Sequence, residues 1–292
     1  MGESLKKDDD KVVIVVVNYF SSRLLEKNLP KLVLLGKVVV VDNSCCAIER
    51  RALESLEANN LGVYVVYSKS NVGFGGGCNL GVEFALDLGF QFHSIGLVNP
   101  DVCIAEPESM KEALARFERS EAAYFQPRVI DSRGARSVQG LRHAAPVPLL
   151  LSYTFLRGCI SALAVLRVYP SEDADTQSIF VPSGACVFVK TQVLQQSGGI
   201  PQNNFLYFEE LLFAHRARVK SGYLDEHVSV LHEVGATTGH KAGKGSPKML
   251  RYRLTSHLSC VDEMLEGRLF SKVFVKALIG LDYFFRRIYM AV

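Results

Sequence analysis

Four short apolar runs, each closed by a loop bearing asparagine or aspartate, constrain this chain more than any other feature. They are Val12–Val17, Val38–Val41, Val63–Tyr67 and Ser94–Val98. Continuous valine-rich runs bounded by turn residues suit strands covered on both faces, which means a parallel sheet with helices on either side. Helical patterning fills the intervals over Ser22–Leu35, Ile48–Asn59 and Cys78–Leu88. The loops after the runs carry Asn18-Tyr19, Asp42-Asn43-Ser44, the stretch from Ser68 to Asn79, and Asn99-Pro100-Asp101. In open α/β sheets ligands bind at the carboxyl ends of strands. One polar strand end is ordinary turn chemistry; four in succession point to a shared polar pocket.

Composition removes the competing classes. With 292 residues, 48% of them hydrophobic, the chain has the length and apolar content for a real core, and disorder is excluded as its dominant state. Thirty-three basic against 30 acidic residues leave +3, too balanced for binding nucleic acid by charge. Seven cysteines without a CxxC pair fit reduced thiols in a cytoplasmic protein. No secretory signal is expected from the polar start Met1–Lys11. The two most apolar segments, Val147–Val168 and Leu269–Val292, are interrupted by charges, so no membrane-spanning helix is expected.

The second half is less regular. Gln126–Arg142 is polar and turn-rich, with Asp131-Ser132-Arg133-Gly134 as a hairpin or loop, and Glu172–Thr176 is an acidic loop. Strand character returns at Ser183–Lys190 and at Val228–Leu231, which ends on His232; a short helix covers Gln192–Gln196. Phe205–Gly222 combines an aromatic run, the pair Glu209-Glu210 and a basic amphipathic helix.

Several motifs carry chemistry. The cluster Gly73-Phe74-Gly75-Gly76-Gly77-Cys78 would let backbone approach a phosphate, or would simply make a tight turn. It lacks the last glycine of a dinucleotide fingerprint and follows the third strand rather than the first. Asp101 can hold a hard cation that bridges a diphosphate, and Asp42 can bind a base or ribose; each can equally cap a turn or helix. The aromatic setting of Glu209 and Glu210 would raise a carboxylate pKa and suit it to base catalysis. Adjacent helical residues diverge by about 100°, so one of the two is expected to face the pocket. Glu209 shares a face with Phe213 and Arg216 and is expected to pair with Arg216; Glu210 shares its face with Ala214 and Ala217, which leave space for an acceptor.

Taken in order, these segments resemble glycosyltransferase family 2, the inverting enzymes of the GT-A fold, and within it the bacterial rhamnosyltransferase-like branch. The matching residues are Asn18-Tyr19, Asp42-Asn43-Ser44, Asn71 through Gly81, Asn99-Pro100-Asp101, Ser183-Gly184-Ala185-Cys186, Phe205 through Glu210, and His232 to Gly235. The resemblance implies a mixed, mainly parallel sheet flanked by helices over residues 11–240, after a polar tail of 1–10 and before a C-terminal helical extension of 241–292. It implies transfer of a sugar, rhamnose for this branch, from a dTDP- or UDP-sugar to a hydroxyl of a bacterial surface glycan or its lipid-linked precursor. Asn18, Tyr19, Asp42, Asn43, Asn71, Gly73, Gly77, Asn79 and Asn99 would hold the nucleotide. Asp101 and His232 would lie at a divalent cation, Mg²⁺ or Mn²⁺. Glu210 falls where the family places its base, with Glu209 beside it; the family's Glu-Asp is here Glu-Glu, and an acidic residue common two positions on is here Leu212. The alternative is a non-catalytic nucleotide-sugar-binding subunit of a glycan-assembly complex. Leu269–Val292 sets Phe270, Val273 and Phe274 against Lys272, Lys276, Arg286 and Arg287. It is expected either to lie on the inner face of the plasma membrane or to pack as a helix or homo-oligomer interface.

Overall fold

The computed structural model describes residues 11–131, 134–135, 140–142, 145–163, 176–218, 222–233 and 246–291. The expected tail 1–10, most of the Glu172–Thr176 loop, the middle of the Asp131–Gly134 turn and Gly235 lie outside the described residues.

The chain opens with alternating strands and helices: β1 (Val12–Asn18), α1 (Ser22–Leu32), β2 (Lys37–Asp42), α2 (Ala47–Asn59), β3 (Val63–Tyr67), α3 (Gly73–Asp87) and β4 (Ser94–Val98). There follow β5 (Val102–Ile104), α4 (Pro107–Arg119), β6 (Tyr124–Asp131), α5 (Pro146–Leu151), α6 (Arg157–Ala162) and β7 (Thr176–Ile179). The remainder is β8 (Cys186–Lys190), α7 (Thr191–Gln196), α8 (Glu209–Arg216), β9 (Gly222–His232), α9 (Pro247–Met264) and α10 (Leu269–Ala291). Among the described residues the strands form one sheet in the order β3-β2-β1-β4-β8-β6-β9-β5, with β7 on β9. β3, β2, β1 and β4 run parallel; β8 then enters antiparallel between β4 and β6, and β9 lies parallel to β6.

The valine runs form this sheet because both of its faces are covered. Val13 and Val15 of β1 join Val39 and Val41 of β2 in a core under α3. Ile14 and Val16 join Val38 and Val40 in a core under Leu25, Leu29 and Leu32 of α1. A third apolar cluster unites α5, α8, α9 and α10 through Leu150, Leu211, Cys260, Val261, Val275 and Ile279. The C-terminal helices are therefore packed against the helix that carries the acidic pair.

Three expected elements differ in extent. α3 starts at Gly73, not Cys78, so the glycine cluster is its first turn rather than a preceding loop. Those glycines are spacers: a Cβ at Gly77 would meet Val17 Cγ1 at 2.8 Å, and one at Gly81 would meet Val15 Cγ1 at 2.5 Å and Val41 Cγ2 at 2.9 Å. β6 occupies Gln126–Asp131, expected as polar turn, because Phe125 and Val129 reach the core while Gln126 is fully buried. β9 is eleven residues long and begins at Gly222, since it pairs with β6, β7 and β5 in turn. All seven cysteines are free thiols, and no described helix is long and apolar enough to cross a membrane.

The close approach of α3 to β1 and β2 gives a stability prediction. Gly81→Ala gains about 1 kcal/mol of helix propensity, while forcing a methyl into the packed valines costs about 1–3 kcal/mol. Urea unfolding should show a lower midpoint at unchanged slope; a raised midpoint would refute the spacer role.

Candidate active site

The site is built from the loops at the carboxyl ends of the parallel strands. Asn18, fully buried, donates from its amide to Asp42 Oδ1 (3.0 Å) and Glu49 Oε2 (3.1 Å), and accepts from Ser21 N (3.0 Å) and Ser21 Oγ (2.8 Å). Asp42 Oδ1 also accepts from Ser44 N at 3.0 Å. Asn18 and Asp42 thus lie beneath the surface and hold the two loops; neither lines the cleft.

Gly73 is the next junction. Its N–H donates to Asn71 Oδ1 (3.0 Å), and its carbonyl accepts from Asn43 Nδ2 (2.9 Å). Its φ of +77° suits glycine, and a Cβ would strike the Phe205 carbonyl, which also accepts from Phe74 N at 3.2 Å. Asn43 and Asn71 are thereby fixed with respect to the aromatic run before the acidic pair. Gly77 packs under Val17 and the Asn43 amide. Asn79 faces elsewhere: its side chain bonds the Ile200 carbonyl and N–H, both at 2.8 Å, and anchors the loop after α7.

The turn between β4 and β5 is held on several sides. Asn99 N donates to Ala185 O (2.9 Å), Asn28 Nδ2 to Pro100 O (3.0 Å), and Glu233 N to Asp101 O (3.0 Å). Because Val102 pairs with His232 in the β5–β9 ladder, His232 stands beside Asp101, with Nε2 3.2 Å from Oδ1. The two atoms are close but lack hydrogen-bond alignment, so Asp101 Oδ1 remains buried without a hydrogen-bond partner among the described residues.

α8 brings in the acidic pair. Tyr207 and Phe208 both take positive φ, 75° and 68°, in a left-handed turn that costs bulky residues about 1–3 kcal/mol each. The turn is clamped from α9: the Phe208 ring stacks on His257 at 4.5 Å, and Ser256 Oγ donates to Leu206 O at 2.8 Å. Burial lowers the His257 pKa to about 4, so the ring is neutral and donates from Nε2 to Leu150 O at 2.9 Å. Glu209 is 2% exposed, whereas Glu210 is only half-buried and lies directly over Gly184, where any Cβ would overlap its carboxyl group.

Burial, together with the charge of Glu210, pushes Glu209 up to about 8; burial also raises Glu210. Two neighbouring carboxylates, one buried and one half-buried, resist double ionisation, so the pair retains a proton at neutral pH. By exposure Glu209 is the more enclosed of the two.

Three expectations for α8 are corrected. Both glutamates line the cleft, because they occupy the first turn, where two long side chains reach the same opening. Arg216 does not pair with Glu209; it makes a two-pronged pair with Glu263 of α9, at 2.7 and 2.8 Å. Ala214 also leaves no room for an acceptor, since it is fully buried in the core shared with α9.

The resulting cleft encloses ≈ 490 Å³. Of the expected residues it gathers Tyr19, Asn43, Asn71, Gly73, Asn99, Glu209, Glu210 and His232 along its wall. Asn18, Asp42, Gly77 and Asp101 support that wall from outside the lining, and Asn79 lies away from it on the Ile200 backbone. Lys248, Met249 and Tyr252 of α9 also line it and had no signal in the sequence. Tyr252 packs on Phe205 with ring centres 4.7 Å apart, a contact that no local pattern announces.

Three oxygens in and behind this wall, Asn43 Oδ1, Asp101 Oδ1 and Glu209 Oε1, are buried with no hydrogen-bond partner among the described residues. Acceptors left this way call for donors or a cation. The residues fit a divalent cation: Asp101 offers an unsatisfied carboxylate oxygen and His232 an imidazole. Magnesium-type sites characteristically take one or two protein ligands and complete the shell with phosphate and water. Among the described residues no cluster of three metal-ligating side chains exists, so phosphate and water would have to supply the rest.

No protein-family model matches the chain. The low-salt glycan biosynthesis hexosyltransferase Agl10 of Haloferax volcanii is 24% identical over 201 residues, 69% of this chain and 59% of the relative. The chain thus spans about three fifths of that relative's length. Among solved structures, residues 1–349 of S. aureus TarS superpose with a TM-score of 0.55 at 17% identity, covering 94% of this chain and 72% of that one. The mannosyltransferase PcManGT of Pyrobaculum calidifontis, solved with GDP-Man and Mn²⁺, gives 0.57 at 12% identity, covering 94% and 74%. The chain has the fold of these proteins, a mixed, mainly parallel sheet flanked by helices with further helices at the C-terminus.

The acidic pair yields a pH prediction. From its ordinary 4.5 up to about 8, Glu209 binds more proton in the folded than in the unfolded state, so stability falls as pH rises through that window. Glu209→Gln mimics the protonated form and removes that loss. Its melting temperature should match the wild type near pH 4.5 and exceed it increasingly toward pH 8; parallel curves would contradict the shifted pair.

Proposed function

We propose that the chain is a glycosyltransferase that moves a sugar from a nucleoside diphosphate sugar to a hydroxyl, with inversion at the anomeric carbon. The observation that carries this reading is the pairing of an acidic dyad with unsatisfied acceptors along one cleft at the strand ends. The shared fold adds support, since TarS has been solved with UDP and PcManGT with GDP-Man and Mn²⁺. The name of the Haloferax relative points to hexosyl transfer in glycan assembly.

In this reading Tyr19, Asn43 and Asn71 receive the nucleoside, and Asn43 Oδ1 takes a donor from it. Asn18, Asp42 and Gly77 position those residues from behind. The diphosphate lies toward Asn99 and His232. A divalent cation held by Asp101 and His232 would supply charge stabilisation for the departing nucleoside diphosphate. Glu210 accepts the proton of the acceptor hydroxyl; that oxygen bonds to the anomeric carbon as the carbon–phosphate-oxygen bond breaks, and the electron pair leaves with the diphosphate. Glu209 keeps the shared proton and prevents a second negative charge from repelling the nucleophile. The rhamnosyl donor, its dTDP or UDP carrier and a bacterial surface glycan or lipid-linked acceptor are the finer choices suggested by the sequence resemblance.

The same reading locates the protein in the cytoplasm, at the membrane face where lipid-linked acceptors are presented. Its support is α10, whose Phe270, Val273 and Phe274 are exposed; the adjacent Lys272 and Lys276 share Asp262 as partner, at 3.4 and 2.7 Å, which leaves the patch a net positive charge. Removing the whole helix would strip Val275 and Ile279 from the core, so surface substitutions are the proper probe. Phe270→Glu with Phe274→Glu should cut co-sedimentation with anionic liposomes at least about threefold; undiminished binding would refute membrane contact.

Two substitutions test the chemistry. Glu210→Gln should reduce kcat by about a hundredfold or more with little change in donor Kd. Full turnover in that variant would overturn its role as base, and absence of any donor turnover by the wild type would favour a nucleotide-sugar-binding subunit. Asp101→Ala should weaken binding of UDP, GDP or dTDP in Mn²⁺ but not in a chelator; equal loss under both conditions would contradict a metal-side carboxylate.

A further inference from the structure

A second cavity of ≈ 490 Å³ adjoins the cleft, and Tyr207 and Met249 wall both. Its chemistry is different. The cleft is lined by amides and the acidic pair, whereas the second cavity sets Arg253 of α9 and Arg286 of α10 among Phe155, Phe285 and Tyr289. Its carboxylate, Asp282, is 2% exposed and already engaged: Oδ1 accepts from Phe155 N at 2.8 Å and Oδ2 from Arg286 Nε at 2.7 Å. Asp282 therefore acts as a pin that holds one arginine at the cavity, and the Arg286 side chain is still 39% exposed. Two cations against one paired carboxylate leave the described lining with a positive charge.

The apolar part of this cavity continues outward. Leu250 and Met290 are shared with a larger groove of ≈ 870 Å³ formed by residues of α9 and α10, where Leu254 and Phe284 extend the apolar lining and Lys248, Arg251 and Arg287 add further cations. Along the outer face of α10, Phe284, Phe285, Ile288 and Tyr289 are all exposed. The surface leading away from the acidic pair is thus first polar, and then sets cations among aromatic and aliphatic side chains. A soluble glycan alone would leave the arginines unmatched and the aromatic band in water. A single-chain amphiphile with an anionic head matches both, because a phosphate accepts guanidinium donors and a hydrocarbon chain covers apolar side chains.

We infer that this cavity binds the phosphate of a single-chain lipid phosphate, with the chain laid along α10 and the acceptor hydroxyl reaching past Tyr207 and Met249 to Glu210. The inference rests on the glycosyltransferase reading for the direction of the hydroxyl, and it narrows the acceptor to a lipid-phosphate-linked one.

The test uses dodecyl phosphate, below its micelle concentration, titrated into the full chain by calorimetry. Dodecanol, inorganic phosphate and phosphatidylglycerol vesicles serve as separate arms. Saturable binding of dodecyl phosphate, at least about tenfold tighter than either dodecanol or inorganic phosphate, is expected. Arg253→Gln and Tyr289→Glu should each weaken it by about tenfold. Arg286→Gln removes a partner from buried Asp282, so the first two variants carry the test where that one fails to fold. A photoreactive dodecyl phosphate should label peptides containing Met249 or Tyr289. No saturable binding, binding unmoved by Arg253→Gln and Tyr289→Glu, or binding to the vesicles alone would overturn the inference. Binding of UDP or GDP by the wild type is measured in parallel. Its loss with dodecyl phosphate binding intact would remove the glycosyltransferase reading and leave the lipid-phosphate site, while the converse would remove the site alone.

Discussion

The structure depends first on the in-register ending of β1 and β2, where Asn18 lies opposite Asp42. A buried amide beside a buried carboxylate would be costly if either were left unpaired. Here the Asn18 amide donates to Asp42 and Glu49 while its oxygen receives both donors of Ser21, so the network is closed at the side chain that joins it. The consequence is positional. The chain leaves β1 toward α1 and β2 toward α2 at set points, and Asn43 is delivered to the Gly73 carbonyl. The cleft floor is therefore a by-product of satisfying buried polar groups at two adjacent strand ends.

The opposite wall is made differently, by stored strain. Tyr207 and Phe208 are held in left-handed conformations that neither would adopt in isolation, and the clamp comes from packing with α9 through His257 and Ser256. The bidentate Arg216–Glu263 pair fixes α8 to the same helix. A rigid support allows two carboxylates to remain adjacent in an apolar setting instead of swinging into solvent. The C-terminal helices, which could be read as an appendage, thereby hold the acidic pair in place and complete the cleft with Lys248, Met249 and Tyr252.

The contrast between the walls explains what was legible in the sequence. The parallel half of the sheet was readable because its strands are covered on both faces and so become unbroken valine runs, with polar residues confined to their ends. The residues closest to that logic, Tyr19, Asn43, Asn71 and Asn99, do lie on the cleft. Asn79 has the same polar character but is spent on the Ile200 backbone, a partner 121 residues away that no local pattern names. The start of α3 is not legible in the sequence because glycine normally disfavours helix, whereas here close approach to Val15, Val17 and Val41 demands it. The face assignment of Glu209 and Glu210 assumed a regular helix from its first residue. The preceding left-handed turn and the length of both side chains defeat that assumption, so both reach the cleft, with Glu210 lying over Gly184.

The central claim is that this cleft receives a nucleoside diphosphate with its phosphates toward Asp101 and His232. A crystal structure of the protein soaked with UDP or GDP and Mn²⁺ tests it most directly, through the anomalous signal of the metal and the density of the nucleotide. The account predicts manganese bound to the Asp101 carboxylate, phosphates between it and Asn99, and the nucleoside against Tyr19, Asn43 and Asn71. Nucleotide density seated instead between α9 and α10, or manganese bound away from Asp101 and His232, would contradict it.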